Sequence, residues 1–302
     1  MHGFLLVLKP PGMTSHDVVQ FARRTFGTRA VGHTGTLDPA AAGLLVLTLG
    51  CATRLGEFLL DCDKAYRAEI ILGLTSDTGD AEGAVTATGS AIGVTPERVA
   101  TVLDSLTGAI TMRPPAHSAV SVGGQRLHRL ARAGQAIEAP PRAVTVHALK
   151  LLEFLPGERA LLRLDVVCSK GTYVRSLAQM IGERLAVGGV LSALLRTQVG
   201  PHRLEQAATL EEIAANPLGH LLTPLEGLPH LPRAVLDAAS ASAFAHGNAI
   251  AAPDGRAPEG PLLVLQEDGE LLGVGEVSRS EPRRLRPRKV LVSADQASRG
   301  RV

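Results

Sequence analysis

The chain has 302 residues, 45% hydrophobic and 20% charged, the balance of a soluble globular protein, and its length predicts one large domain plus a small one. No apolar stretch reaches the roughly 18 residues that a bilayer span needs. Net charge is only +2, but residues 279–302 hold eight basic residues against two acidic ones, so that segment carries +6 and residues 1–278 carry −4.

Residues 4–9, FLLVLK, predict a short buried strand ending at Pro10-Pro11-Gly12. The segment MHGFLLVLKPPG lacks a basic n-region, and its apolar part is five residues long, which favours a strand over a signal peptide. Thr14 or Ser15 can cap a helix HDVVQFARRTF that stops at Gly27. A loop follows, then the strand-like LLVLTLG and a short helix in ATRLGEFLLD. KAYRAEIILGL alternates, with Tyr66, Ala68, Ile70 and Leu72 on one face. TSDTGDAEGAV predicts a loop or hairpin, and Thr95-Pro96-Glu97 opens a helix running to Leu106.

Segment 113–142 has five arginines, one glutamate and little periodicity, the marks of a long exposed insert. Residues 143–153 and 160–168 predict paired strands around Pro156-Gly157. Thr172 is placed to cap the helix YVRSLAQMIGERL, with Gly188-Gly189 closing it, and VLSALLRTQVG leads into another strand. Thr209 and Glu212 form a capping-box signature for EEIAAN. LTPLEGLPHLPRA, with three prolines, suggests a linker. Beyond it, PLLVLQEDGELLGVGEV predicts a hairpin around Asp268-Gly269 in a small β domain from about residue 229. Strands and helices mix without regular βαβ alternation, which favours an α+β fold.

The three cysteines, Cys51, Cys62 and Cys168, match no zinc or redox spacing and predict reduced thiols in a cytoplasmic protein. Basic patches on a near-neutral chain point to a polyanion partner, although a solvated surface and a frayed tail fit the charge equally well. Flat side chains for stacking on bases are scarce: two tyrosines, six phenylalanines and no tryptophan.

GHTGTLDPAAAGLLVL, Gly32 to Leu47, sets a lone carboxylate, Asp38, at the lip of an apolar run. Its glycines do not make GxxxxGK[ST] or GxGxxG, and His33 and Asp38 lack further ligands at metal-site spacing. Asp-Pro before AAAGLL reads as a helix N-cap, and equally as a reactive group at a pocket mouth; spacing alone leaves both open, with capping the simpler. His33 by itself is a loop histidine bonded to backbone, and Tyr66 a strand core residue. Tyr173 and Arg175 start a helix. The dipole does not favour an arginine there, so Arg175 needs another partner. A carboxylate is the natural one, which makes Asp38 with Arg175 a candidate pair.

Four blocks in order, VLKPPGMTSHDVV, GHTGTLDPAAAGLLVLTLGCATRL, DKAYRAEIILGLTSDTGDAEG and VVCSKGTYVRSLAQMIGERL, continued by LLRTQVGPHRLEQA, resemble the bacterial tRNA pseudouridine synthase B family. The resemblance covers most of residues 4–230, with a family-like tail. It implies a mixed-sheet pseudouridine synthase catalytic domain over 1–228, with an RNA-gripping insert at about 113–142. A small β-barrel-like PUA-type domain is implied over 229–302, its basic RRLRPRK set against RNA phosphates. The implied reaction isomerises uridine-55 of the TΨC loop of tRNA to pseudouridine, moving the glycosidic bond from N1 to C5 without cofactor or metal.

By the same resemblance Asp38 is the nucleophile and Arg175 the guanidinium that favours its ionised form. His33 helps fill the space left by the flipped base. Tyr66 stacks on the uracil and moves the C5 proton, while Tyr173 and Leu194 line the pocket. Flipping costs a few kcal/mol, and stacking on an aromatic face returns roughly 1–3 kcal/mol per base. Relatives commonly have tyrosine at His117, and often a second arginine where this chain has Leu195. The partner implied is the tRNA T-arm, and a monomer is the default. Two other classes compete: a tRNA-folding chaperone without chemistry, and a glycoside hydrolase, which needs a second acid beside Asp38.

Overall fold

The computed structural model describes residues 1–115, 121–122, 125–126, 139–252, 259–278 and 283–291. The chain builds, in order, β1 (Gly3–Lys9), α1 (Ser15–Thr25), β2 (Val31–His33), β3 (Ala42–Leu49), α2 (Glu57–Leu60), β4 (Lys64–Leu72), β5 (Leu74–Ser76) and β6 (Val85–Ala87). Next come α3 (Pro96–Ser105), β7 (Gly108–Met112), β8 (Ser121–Val122), β9 (Gln125–Arg126), β10 (Arg142–Leu155), β11 (Leu161–Cys168), α4 (Val174–Leu185), β12 (Gly189–Val199) and β13 (His202–Arg203). The rest is α5 (Leu210–Ala215), β14 (Leu221–Leu222), α6 (Pro224–Gly227), β15 (Arg233–Leu236), α7 (Ala238–Ala245), β16 (Ile250–Ala251), β17 (Gly260–Gln266), β18 (Leu271–Val277) and β19 (Arg284–Val290).

A ten-stranded mixed sheet runs β14-β1-β3-β12-β4-β11-β10-β7, with β2 on β3 and β13 on β12. The β3–β12 pair is parallel, and its register sets Gly43 opposite Arg196. At β1 and β3 both faces are covered and the strands read as continuous apolar runs, whereas β4 and β11 alternate. In β1, Leu5 and Val7 meet Val18, Val19 and Ala22 of α1, whereas Phe4 and Leu6 join Leu44, Val46, Leu55 and Leu59 on the other side. Further along, Ile70, Leu72, Leu162, Leu164 and Val166 pack with Val99 and Leu103 of α3 and Leu177, Ile181 and Leu185 of α4.

A second, five-stranded sheet runs β15-β17-β18-β19-β16. Alternation along β17 serves two cores: Leu262 and Val264 pack with Phe244, Leu272 and Leu285, while Leu263 and Leu265 join the Phe4–Leu44 cluster of the large sheet. The curled second sheet is thereby seated on the first.

Three expectations are corrected. LTPLEGLPHLPRA is not a linker: β14 pairs with β1, and Thr223 and Glu226 form a capping box on α6. Gly227 there accepts a hydrogen bond from buried His202 at 2.9 Å. The helix N-cap is Tyr173, not Thr172, with no side-chain cap bond, and the helix ends at a left-handed Ala186 before reaching Gly188-Gly189. Asp38 caps no helix, because the run after it enters β3, whose residues Gly43–Leu49 are all buried. His117 and the tail beyond residue 291 lie outside the described residues, as does most of the basic insert.

Candidate active site

Asp38 sits in the turn between β2 and β3, and four residues from two distant stretches of chain, 9–15 and β12, pin that turn. Buried Ser15 accepts the Leu37 N–H at 2.8 Å and donates its hydroxyl to the Leu37 carbonyl at 3.0 Å. Lys9, fully buried, donates Nζ to the carbonyls of Met13 (2.6 Å), Pro10 (2.9 Å) and Pro39 (3.2 Å). Gly12 N–H also reaches Pro39 O, at 2.9 Å. Arg196, 2% exposed, donates Nε to Leu44 O at 2.7 Å, Nη1 to Thr36 O at 3.2 Å and Nη2 to Gly35 O at 3.1 Å.

Across from the turn stands Arg175, in the first turn of α4. Its Nε lies 3.0 Å from Asp38 Oδ2 and its Nη2 3.4 Å from Asp38 Oδ1. Nη1 donates to Thr78 O at 3.1 Å and lies 3.6 Å from Asp80 Oδ2. The Arg175 side chain is 5% exposed, whereas Asp38 keeps 39% of its side chain open. This carboxylate is held by a buried cation and still faces outward, the arrangement that suits a group meant to meet a ligand. Asp38, Arg175 and Asp80 line an open cleft whose other walls include Ala40, Ala41, Leu191 and Leu194.

Leu194 and Arg196 of β12 stand opposite Ala68 and Tyr66 of β4. Leu194, Tyr66 and Tyr173 all pack against the same core cluster. Burial pushes the Tyr66 phenol up from its usual range, and the Arg196 guanidinium pulls the other way. His33 ends β2. Its Nδ1 accepts the Gly35 N–H at 3.3 Å, which leaves the ring proton on Nε2. Burial, then Arg196 and His16, lower its pKa, so the ring is neutral near pH 7.

Among the sequence-derived candidates, Asp38, Arg175 and Leu194 therefore share one cleft, with Tyr66 in register beside it. Tyr173 and His33 are not among the cleft's lining residues. Sequence reasoning missed Lys9, Asp80 and Arg196. Lys9 and Asp80 carried no distinguishing signal, being a strand-end lysine and a turn aspartate. Arg196 did carry one, as a charge at an inward position of an otherwise uncharged strand. Asp80 is the second acid that a hydrolase would need, yet it is already engaged. Its Oδ1 accepts from the Thr78 hydroxyl at 2.6 Å and from Glu82 N–H at 3.2 Å, and its Oδ2 faces Arg175. Among the described residues no three His, Cys, Asp or Glu side chains converge as a metal site.

Family and fold are given by similarity to known proteins. A family model described as TruB family pseudouridylate synthase (N terminal domain) matches residues 23–174, and one described as Pseudouridine synthase II TruB, C-terminal, matches 232–291. The tRNA pseudouridine synthase B of Symbiobacterium thermophilum is 51% identical over 249 residues, 82% of this chain and 83% of that protein. That of Heliobacterium modesticaldum is 39% identical over 301 residues, 99% and 98% of the two chains. Among solved structures, a chain of a Cbf5-Nop10-Gar1 complex is similar with a TM-score of 0.74 at 25% identity, covering 98% of this chain and 86% of that one. An H/ACA RNP bound to a substrate RNA containing 2'-deoxyuridine gives 0.73 at 24%, covering 97% and 86%, a likeness of fold.

Proposed function

The chain belongs to the TruB family of pseudouridylate synthases, and from that premise we propose that it isomerises uridine-55 in the TΨC loop of tRNA to pseudouridine. The observation that carries the site assignment is the Asp38–Arg175 ion pair, at 3.0 Å, at the mouth of a cleft walled by alanine and leucine. A base flipped from the loop enters this cleft. Asp38, paired with the guanidinium, is the nucleophile that carries the sugar–base rearrangement. Tyr66 stacks on the uracil and takes the C5 proton, Leu194 and Tyr173 confine the ring, and His33 fills the space left in the loop. The pair, buried only on the Arg175 side, serves this chemistry, because such an ion pair is weak support for stability.

In this reading residues 1–228 form the catalytic domain and 229–302 a PUA-like domain. The exposed arginines of β19, Arg284, Arg286 and Arg288, approach RNA phosphates. No helix among the described residues is long and apolar enough to cross a membrane. We propose a monomer acting on tRNA in the cytoplasm; the relatives' names support the tRNA substrate. The chaperone reading has no observation of its own in its favour.

The test is to incubate the protein with an unmodified tRNA transcript and map pseudouridine along it. Modification confined to the T-loop uridine supports the proposal. Modification elsewhere, or none alongside tight binding, overturns it.

A further inference from the structure

Arg196 is a buried cation without a carboxylate: its hydrogen-bond acceptors are the carbonyls of Leu44, Thr36 and Gly35, and no ion pair reaches it among the described residues. Three carbonyl bonds could hold the turn, but a neutral donor would do that without a desolvated charge. The side chain opposite it on β4 is Tyr66. Side chains directly opposed across an antiparallel pair share a face, with Cβ atoms about 5 Å apart.

Few other charges face this pair. Cys168 of β11 and Asp38 of the turn act on Tyr66, while Lys9, His33 and Lys64 sense the Arg196 charge. Burial pushes the Cys168 thiol up to about 11, so it stays neutral. Arg196 is thus a cation on that wall that acts on Tyr66, and the two support each other's charged forms.

We propose that Arg196 is a positioning residue whose charge serves the Tyr66 oxygen, stabilising the anionic form that accepts the C5 proton of the rearranged base. This rests on the isomerase reading above. In the step, the C5–H bond breaks and its proton passes to the Tyr66 oxygen. The electron pair re-forms the C5–C6 double bond, and N1, which has lost its ribose, takes up a proton from water. Tyr66 then returns its proton to solvent, so the product is an isomer of the substrate.

The chain has two tyrosines and no tryptophan, so Tyr173→Phe leaves Tyr66 as the sole phenol. The full chain with Tyr173→Phe is titrated by near-ultraviolet absorbance of the phenolate, alone and with Arg196→Lys or Arg196→Gln, each checked for a cooperative thermal transition. Arg196→Gln is expected to move the phenolate transition to higher pH, with Arg196→Lys staying near the parent. In the otherwise unaltered chain, Arg196→Gln is expected to lower kcat for C5 proton release about 100-fold with little change in KM, and the lysine variant to recover much of it. A phenolate transition unmoved by Arg196→Gln would overturn the proposal and leave Arg196 a clamp on the turn. The titration needs no RNA, so a protein that proved inactive would refute the isomerase reading without deciding this one.

Discussion

Gly43 and Arg196 face each other across the parallel β3–β12 pairing, so closely that a Cβ on Gly43 would lie 2.6 Å from the Arg196 backbone nitrogen. Gly43 also has φ of +114°, a conformation that L side chains rarely adopt. The glycine therefore lets β12 approach β3, which brings the Arg196 side chain under the Asp38 turn. Gly43→Ala is expected to destabilise the fold by about 2–4 kcal/mol and to lose activity beyond that, read by urea unfolding beside an activity assay.

Arg175 stands between two carboxylates that differ in exposure, Asp38 at 39% and Asp80 at 14%. Removing each partner therefore has unequal consequences. Asp38→Asn leaves Arg175 its bonds to Asp80 and Thr78, so thermal stability is expected to stay within a few degrees of the parent while activity disappears. Arg175→Met strands two acids, one of them nearly buried, and is expected to cost about 2 kcal/mol as well as activity. Calorimetry on the two variants tests the asymmetry.

Burial lowers the Lys9 pKa to about 8, a shift that nearby Asp38 partly opposes. Because the folded value lies below the unfolded 10.5, the folded state binds fewer protons between those values. Stability from this group is full above pH 10.5 and falls away as pH drops towards 8. The difference in unfolding free energy between the parent and Lys9→Met is expected to grow, by on the order of 3 kcal/mol, from pH 7 to pH 10.5. A flat difference over that range would contradict the burial of a protonatable amine.

Leu263, fully buried, joins the cluster built on Phe4 and Leu44, so the second sheet shares core with the first. Leu263→Ala is expected to lower stability by about 2–4 kcal/mol and to lower a single transition for the whole chain. Two separate thermal transitions would mean that the sheets unfold independently.

The strands were legible where burial is one-sided: KAYRAEIIL alternates, and its face of Ala68, Ile70 and Leu72 is indeed core. The capping boxes at Thr209 and Thr223 are local chemistry, yet the second was hidden among prolines that suggested a linker. Asp38 was ambiguous because Asp-Pro-Ala serves a helix cap and a pre-strand turn alike, and only the tertiary cover on both faces of β3 decides between them. Arg175 was legible as a charge at the wrong end of a helix. Lys9 and Asp80 were not, because what distinguishes them is burial and a distant partner, the Pro39 carbonyl for Lys9 and Arg175 for Asp80. Arg196 lay between: its position was visible, and its lack of a carboxylate was not.

The most direct measurement is tritium release from a T-arm stem-loop RNA carrying 5-tritiated uridine, with Asp38→Asn in parallel. Release by the parent chain and none by the variant is the expected result, and it ties proton loss at C5 to the Asp38 carboxylate. Equal release by both proteins would contradict the role of Asp38, and RNA binding without release by either would contradict the isomerase itself.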